Sequence, residues 1–220
     1  MNLETLDIRP GDIVLDVGSG NNPKPVATIL LDLYLADSSH RSFEPLKRDE
    51  RPFINATVEA LPFRDKSVDY IIANHILEHV DDPEKACREL QRVAKRGYIE
   101  CPSPFLEQGY YIVSRGQSYW MKHKWYVWNP SQSPYAAERR EIHHLLIFQK
   151  RSDNKYCTCR FAHIIHQFYE DMKAHAELFK ERFRAESESN IVDKIMGLFT
   201  PSVHHTIFHW NHHFEVLVLR

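Results

Sequence analysis

The stretch that most limits the fold of this chain is Ile13–Pro23, an apolar run that leads into Gly-Ser-Gly. A run of β-branched and aliphatic residues is typical of a buried strand. Gly18 and Gly20 allow a tight turn and a close approach of the backbone to a ligand, because glycine has no Cβ. The pattern therefore predicts a buried strand that ends at a ligand-binding turn.

A second apolar run, Ala27–Leu31, is followed directly by Asp32. A carboxylate at the end of a second parallel strand can accept hydrogen bonds from both hydroxyl groups of a ribose. Together the two segments predict a cofactor that contains a nucleoside, bound at the carboxyl edge of an open α/β sheet.

Further elements of such a sheet are predicted in the first half of the chain. The predicted strands are Val14–Val17, Ala27–Leu31, Phe53–Ala56, Val68–Asn74 and Tyr98–Cys101. A helix is predicted after Asp82, a good N-cap residue that precedes Pro83. Lys95 and Arg96, followed by Gly97, predict the end of that helix, because cations and then a glycine are common there.

The second half of the chain departs from this pattern. Residues 103–150 predict an inserted hairpin, with strands at 124–128 and 142–148 and many aromatic side chains. Those aromatic rings could cover an acceptor pocket or form a small satellite core. A long helix is predicted over residues 160–188, followed by a terminal β-hairpin of Thr206–Trp210 and Phe214–Leu219. We expect a single domain over residues 1–220, in which 103–150 is a substrate cap.

Composition excludes several classes of protein. The 220 residues, 43% of them hydrophobic, suffice for one sizeable α/β domain. A formal charge of −2 gives no basic surplus, so we expect a small-molecule, sugar or lipid-linked substrate and no nucleic acid. We also expect no signal peptide, no membrane span, four reduced cysteines and a cytoplasmic location. The oligomeric state is not predicted.

The segment between the first two predicted strands distinguishes a dinucleotide cofactor from S-adenosylmethionine. A dinucleotide fingerprint requires a third glycine, where this chain has Pro23, and a helix whose N-terminus holds the pyrophosphate. Only Asn21–Val26 separates Gly20 from the second apolar run, and no full helix fits there. The missing phosphate site disfavours NAD but is harmless for S-adenosylmethionine, which carries no phosphate.

Four ordered motifs resemble those of class I S-adenosylmethionine-dependent methyltransferases of the type-11 group. They are Val14–Gly20, Asp32, Glu59–Asp69 and His75–Pro83. The resemblance covers about residues 10–102. It implies a Rossmann-like α/β fold with a mostly parallel sheet and an antiparallel C-terminal hairpin. It also implies transfer of a methyl group from S-adenosylmethionine to an acceptor.

Carried over by position, the resemblance implies cofactor-binding residues along the carboxyl edge of the sheet. These are Asp16, Gly18, Ser19, Gly20, Asn21, Asp32, Leu33, Thr57, Val58, Glu59, Asn74 and His75. Asp32 would bind the ribose hydroxyls, and Leu33 would flank the adenine. Thr57 departs from the family, which usually has an acid there to meet the adenine amino group; Glu59 can substitute for it.

His75 and His79 are the candidate catalytic residues. An unperturbed imidazole titrates near neutral pH, so either could act as a general base. His79 could equally fix its loop through a backbone hydrogen bond. Since the sulfonium of the cofactor is already activated, a base matters only for an acceptor that must lose a proton. We favour O-methylation.

Two other functions and one metal site are alternatives. The chain could be a non-catalytic module that keeps the cofactor fold, or an NAD-dependent oxidoreductase. Cys157, Cys159, His163 and His166 are closely spaced, but Cys-x-Cys departs from the common zinc spacing. Histidine is abundant, with 14 in the chain, so we expect ordinary side chains there and no metal.

Overall fold

The described residues include two sheets and a helix. The computed structural model describes residues 5–39, 41, 43–104, 106, 123–129, 145–150 and 205–219. The larger sheet contains β1 (Val14–Val17), β2 (Ile29–Asp32), β3 (Phe53–Asn55), β4 (Val68–Asn74), β5 (Ala94–Pro102) and β8 (His205–Asn211). The smaller sheet contains β6 (Trp125–Trp128), β7 (Leu145–Lys150) and β9 (Glu215–Leu219). The helix is α1 (Pro83–Val93).

The larger sheet confirms the predicted Rossmann-like architecture. Its strand order is β3-β2-β1-β4-β5-β8, in which the first five strands are parallel and β8 runs antiparallel to β5. Strands β2 and β4 flank β1 on opposite sides, so the order reverses there. In open α/β sheets, ligands bind in the crevice at the carboxyl ends of the strands beside such a reversal.

Apolar side chains pack on both faces of this sheet, which explains why its central strands are mostly apolar. Leu15 and Ile71 pack toward α1, whereas Val14 and Ile72 pack on the opposite face. Helix α1 contributes a buried stripe that consists of Ala86, Cys87, Leu90 and Val93. Its start is as predicted, because the Asp82 side chain accepts a hydrogen bond of 2.9 Å from the Lys85 N–H.

The connection from β1 to β2 contains no helix, in agreement with its short length. Side chains hold it instead. Arg51 Nη1 donates to the carbonyls of Lys24 at 2.6 Å and Ala27 at 3.0 Å. Thr28 Oγ1 accepts a hydrogen bond of 2.9 Å from the Val14 N–H. These contacts satisfy backbone groups that a helix would otherwise satisfy internally.

The predicted end of α1 is wrong. The helix stops at Val93, and the chain enters β5 at Ala94, so Gly97 lies inside a strand and not at a helix cap. Gly97 pairs with Trp210 of β8. A Cβ on Gly97 would lie 2.0 Å from Trp210 Cη2, so the glycine is explained by the indole that covers it.

The predicted C-terminal hairpin is also wrong, although both of its strands exist. β8 pairs with β5 in the larger sheet, and β9 pairs in parallel with β7 in the smaller one. Between them the chain turns at His212, which has φ +75°. Gln91 of α1 accepts a hydrogen bond of 2.9 Å from the Phe214 N–H, so this helix anchors the chain before it enters β9.

The inserted segment forms the strand pair that the sequence predicts. β6 and β7 are antiparallel, with Trp125 opposite Lys150. β6 is fixed to the larger sheet, because Thr206 Oγ1 donates to the Val127 carbonyl at 2.7 Å. The loop between β6 and β7, the predicted helix over 160–188 and the cluster from Cys157 to His166 lie outside the described residues. In the described segments, no helix is long and apolar enough to cross a membrane.

Replacing Gly97 with alanine is expected to lower the free energy of unfolding by about 1–3 kcal/mol, because the new methyl group overpacks against Trp210. Urea unfolding measures this. In a Trp210→Leu background the same change should cost much less, since the indole is gone. Equal costs in the two backgrounds would contradict this explanation.

Candidate functional site

A cavity of about 420 Å³ opens at the carboxyl edge of the larger sheet. Its volume lies within the range of small-molecule and cofactor sites, about 300–1,000 Å³. The structure brings twelve of the thirteen residues singled out in the sequence to its wall. These are Gly18, Ser19, Gly20, Asn21, Asp32, Leu33, Thr57, Val58, Glu59, Asn74, His75 and His79.

The glycine turn after β1 forms one side of the cavity. Gly18 and Gly20 have φ of +71° and +54°, which strongly favour glycine. The N–H groups of Gly18 and Ser19 donate to the Leu31 carbonyl at 2.7 and 3.0 Å and so bind the turn to β2. A Cβ on Gly18 would lie 1.8 Å from Ile76 Cδ1, so the loop after β4 can contact this turn only where a glycine stands.

The Asp32 carboxylate joins this turn to the end of β2. Oδ2 accepts a hydrogen bond of 2.9 Å from the Gly20 N–H, and Oδ1 accepts one of 2.9 Å from the Tyr34 N–H. An ionised carboxylate offers about four acceptor positions. Asp32 therefore keeps acceptor capacity at the cavity wall after its two backbone hydrogen bonds are made.

Arg41 is a residue of the cavity wall that sequence reasoning missed. Its Nη1 lies 3.7 Å from Asp32 Oδ1 and donates to the Tyr34 carbonyl at 2.7 Å. Both side chains are more than nine-tenths buried, and their opposite charges compensate each other. Arg41 lies in an irregular segment between β2 and β3, where no periodicity or motif marks it.

The wall near Thr57 is held by short local hydrogen bonds. Thr57 Oγ1 accepts from the Glu59 N–H at 3.2 Å. Glu59 Oε1 in turn accepts from the N–H groups of Asp81 and Asp82 at 2.7 and 3.2 Å. Glu59 therefore anchors the loop before α1 in addition to lining the cavity.

Asp16 differs from the other predicted residues, since it is not among those that line the cavity. Its carboxylate is buried, and Oδ2 accepts a hydrogen bond of 2.7 Å from the Lys24 N–H. Burial raises the pKa of Asp16 to about 6, although the hydrogen bond from Lys24 works in the opposite direction. In this position Asp16 anchors the connection that follows the glycine turn.

Two polar atoms of the cavity wall stand out at the ends of β1 and β4. Ser19 Oγ and Asn74 Oδ1 are buried and have no hydrogen-bond partner in the part of the chain that the structure describes. Buried polar atoms in native proteins are nearly always paired. These two atoms are therefore suited to a polar ligand in the cavity.

His75, directly after β4, has a left-handed backbone conformation with φ +57°. Its N–H donates to the Glu100 carbonyl at 2.8 Å. Its Nδ1 lies 3.4 Å from Glu78 Oε1, and its Nε2 lies 3.8 Å from Glu100 Oε1. Burial alone would lower the pKa of His75, but the two carboxylates outweigh it and raise the pKa above its usual value.

The inserted segment reaches the cavity through Lys124, whose Nζ lies 2.6 Å from Asp81 Oδ1. The Lys124 N–H donates to the Glu78 carbonyl at 2.7 Å, so β6 begins beside the loop after β4. The ring of His79 contacts that of His123 edge to face, with centroids 4.6 Å apart. Sequence reasoning missed Lys124, because nothing local in an insertion shows which loop it packs against.

Comparison with known proteins finds matches over part of the chain. Residues 15–99 match the family described as a methyltransferase domain. A demethylmenaquinone methyltransferase of Renibacterium salmoninarum is 40% identical over 40% of this chain and 39% of its own length. A second protein of that name, from Paenarthrobacter aurescens, is 34% identical over 43% of this chain and 39% of its own. The chain thus spans about two fifths of the length of these relatives.

Among solved structures, a putative methyltransferase from an antibiotic biosynthesis pathway of Anabaena variabilis is 17% identical, with a TM-score of 0.41 over 56% of this chain and 59% of that one. The match of residues 15–99 confirms the resemblance seen in the motifs. Over this segment the chain is therefore similar to class I S-adenosylmethionine-dependent methyltransferases.

Replacing Asp16 with asparagine is expected to stabilise the protein at about pH 7.5 and to change little at about pH 4. The pKa of Asp16 is about 6 in the folded protein and 3.8 in an ordinary, solvated carboxyl. The free energy of unfolding therefore falls as the pH rises from the lower to the higher of these two pKa values. The asparagine removes that loss, about 2–3 kcal/mol at most, and still accepts from the Lys24 N–H. Thermal unfolding of both proteins at the two pH values measures the difference.

The control for this experiment is Asp16→Ala, which removes the acceptor of the Lys24 N–H and should destabilise the protein at both pH values. If Asp16→Asn instead lost stability at neutral pH, the charge of Asp16 would be favourable in the fold and our interpretation would be wrong.

Proposed function

We propose that the cavity binds S-adenosylmethionine and that the protein transfers its methyl group to a small-molecule acceptor. The observation that carries this proposal is the distribution of polar groups along the cavity. Asp32 offers carboxylate acceptors at one part of the wall. Ser19 Oγ and Asn74 Oδ1 offer two buried atoms that lack partners in the described chain. A nucleoside with a polar amino-acid tail requires groups of both kinds.

Each part of this cofactor has matching residues. We assign the ribose hydroxyls to Asp32, whose remaining acceptor positions suit two donors. We assign the adenine to the wall that contains Leu33, Thr57 and Val58, where apolar surface and one hydroxyl lie together. The methionine ammonium and carboxylate belong near Ser19 and Asn74. Asp16 would then act indirectly, by holding the turn that contains Ser19.

When bound, the cofactor supplies a methyl group on a positively charged sulfur, which is already activated for transfer. The protein has to align the acceptor with that methyl and keep both in place. If the acceptor is a hydroxyl, its oxygen forms the new bond to carbon, its proton passes to a base, and the sulfur keeps the electron pair. His75 and His79 line the cavity and are the candidate bases.

For the acceptor we propose a small aromatic molecule such as a quinol. Two relatives have names that describe methylation of demethylmenaquinone. The net charge of −2 offers no basic surplus for nucleic acid. We propose that a hydroxyl oxygen of the quinol receives the methyl group. Fragmentation of the product in mass spectrometry distinguishes this from methylation of a ring carbon.

Titration calorimetry with S-adenosylmethionine tests cofactor binding. Asp32→Asn should weaken binding by at least about tenfold, because it removes charged acceptors from the proposed ribose site. Asp37→Asn is the matched control, since Asp37 lies nearby in the chain, is exposed and does not line the cavity. The affinity of the Asp37→Asn variant for S-adenosylmethionine should equal that of the wild type. An absence of heat with both S-adenosylmethionine and S-adenosylhomocysteine, or tight binding of NADH, would overturn the proposal.

A turnover assay with short-chain demethylmenaquinol tests the acceptor. We expect a product that is heavier by one CH₂ unit in mass spectrometry. His79→Gln should lower kcat by roughly a hundredfold if His79 removes the acceptor proton, while the affinity for the cofactor stays unchanged. The control is His213→Gln, because His213 is exposed and does not line the cavity. Cofactor binding without turnover of any quinol or catechol would favour a non-catalytic module.

A further inference from the structure

Three side chains with metal-ligating atoms meet beside the cavity. His75 follows β4, Glu100 lies opposite Asn74 in the adjacent β5, and His205 begins β8 next to it. The Nε2 atoms of His75 and His205 lie 3.8 and 4.0 Å from Glu100 Oε1. One ligand atom from each of the three residues lies within 4.8 Å of the other two. His205 lies opposite Pro102, two residues along β5 from Glu100, so the pairing of β5 with β8 brings the two side chains near each other.

The spacing of these atoms suits a metal ion. Ligands that lie about 2.0–2.2 Å from a tetrahedral Zn²⁺ are roughly 3.4 Å apart. Small side-chain rotations would reduce the observed 3.8 and 4.0 Å to that value. Two imidazoles and one carboxylate are also a common ligand set for metal ions that keep open coordination positions.

A second layer of polar groups lies behind these ligands. His75 Nδ1 faces Glu78 Oε1 at 3.4 Å, which leaves Nε2 as the atom directed to the cluster. The second oxygen of Glu100, Oε2, accepts a hydrogen bond from the Tyr98 hydroxyl. Ligating histidines in proteins usually donate from their other nitrogen to such a carboxylate, and ligating carboxylates are hydrogen-bonded in turn. A simple ion pair does not require this arrangement.

One of the three side chains is buried and the other two are partly exposed, as expected for a metal site with open coordination positions. The Glu100 side chain is 5% exposed, whereas those of His75 and His205 are 36% and 31% exposed. The carboxylate is therefore at the closed side, and the two imidazoles are at the side that a solute can reach. His75 also lines the cofactor cavity, so the cluster and the cavity share a wall.

We propose that His75, Glu100 and His205 bind one divalent transition-metal ion whose open positions face the acceptor. The ligand class is an oxygen donor, such as a hydroxyl or a pair of neighbouring hydroxyls on the acceptor. A divalent ion favours the deprotonated form of a bound hydroxyl and holds it in place. This role in the reaction rests on the proposed function, but binding of the ion does not. With His75 as a ligand, His79 is the remaining candidate base.

Zinc titration of the full chain, after removal of metals with a chelator, tests the proposal. The wild type should bind one more equivalent of Zn²⁺ than His205→Ala or Glu100→Gln, or bind it at least about thirtyfold more tightly. Glu78→Gln should weaken the same site by about 10–100-fold through loss of ligand orientation. Replacing Zn²⁺ with Co²⁺ adds a visible absorption band, which should be lost in the same variants.

The control is His213→Ala, which removes an exposed histidine outside the cluster and should leave both measurements at wild-type values. Thermal unfolding shows whether each variant is folded, and His205→Ala is the mildest, because this side chain is 31% exposed. Equal zinc stoichiometry and affinity in the wild type, His205→Ala and Glu100→Gln would overturn the proposal. Calorimetry with S-adenosylmethionine on His205→Ala tests the proposed function separately. If this variant binds the cofactor but the zinc results are negative, the metal site is wrong and the cofactor site stands.

Discussion

The arrangement of the cavity depends on the carboxylate of Asp32. Its two oxygens accept from the N–H groups of Gly20 and Tyr34, and its charge is compensated by Arg41. One side chain thus connects the turn after β1, the end of β2 and the irregular segment before β3. A buried carboxylate with fixed donors costs little further reorganisation when a ligand arrives. The same group therefore serves both the fold and the proposed ribose site.

The edge that carries the cavity is built without a helix between β1 and β2. Asp16 and Arg51 compensate for its absence by bonding to the main chain of the connection, at Lys24 and Ala27. Polar side chains here hold irregular backbone in place. The connection consequently stays close to the sheet and leaves room above the glycine turn.

Local features of the sequence predicted local features of the structure. The strand Val68–Asn74 was predicted with its observed bounds, because it is mostly apolar and pairs with a strand on each side. The start of α1 was equally clear, because Asp82 and Pro83 act within one turn of the helix. Most of the cavity wall was predictable for the same reason, since its motifs directly follow predicted strands.

Features decided by distant partners were not predictable. Gly97 has the local pattern of a helix cap, but its reason is the indole of Trp210, far along the chain. The partners of β8 and β9 depend on which edges are still unpaired, and no local pattern records this. Arg41 and Lys124 reach the cavity from irregular segments whose paths are set by tertiary contacts. The ligand cluster depends likewise on the register between β5 and β8.

Residues 205–219 supply one strand to each sheet, and this has a consequence for the order of folding. Until β8 is made, one edge of β5 has open backbone groups, and such an edge can pair with another chain. Contacts between residues so distant in sequence form slowly. On the ribosome, the nascent protein would hold an incomplete sheet during synthesis of the long intervening stretch. Its exposure to aggregation should therefore be greatest during that interval, when a chaperone bound at β5 would protect it most.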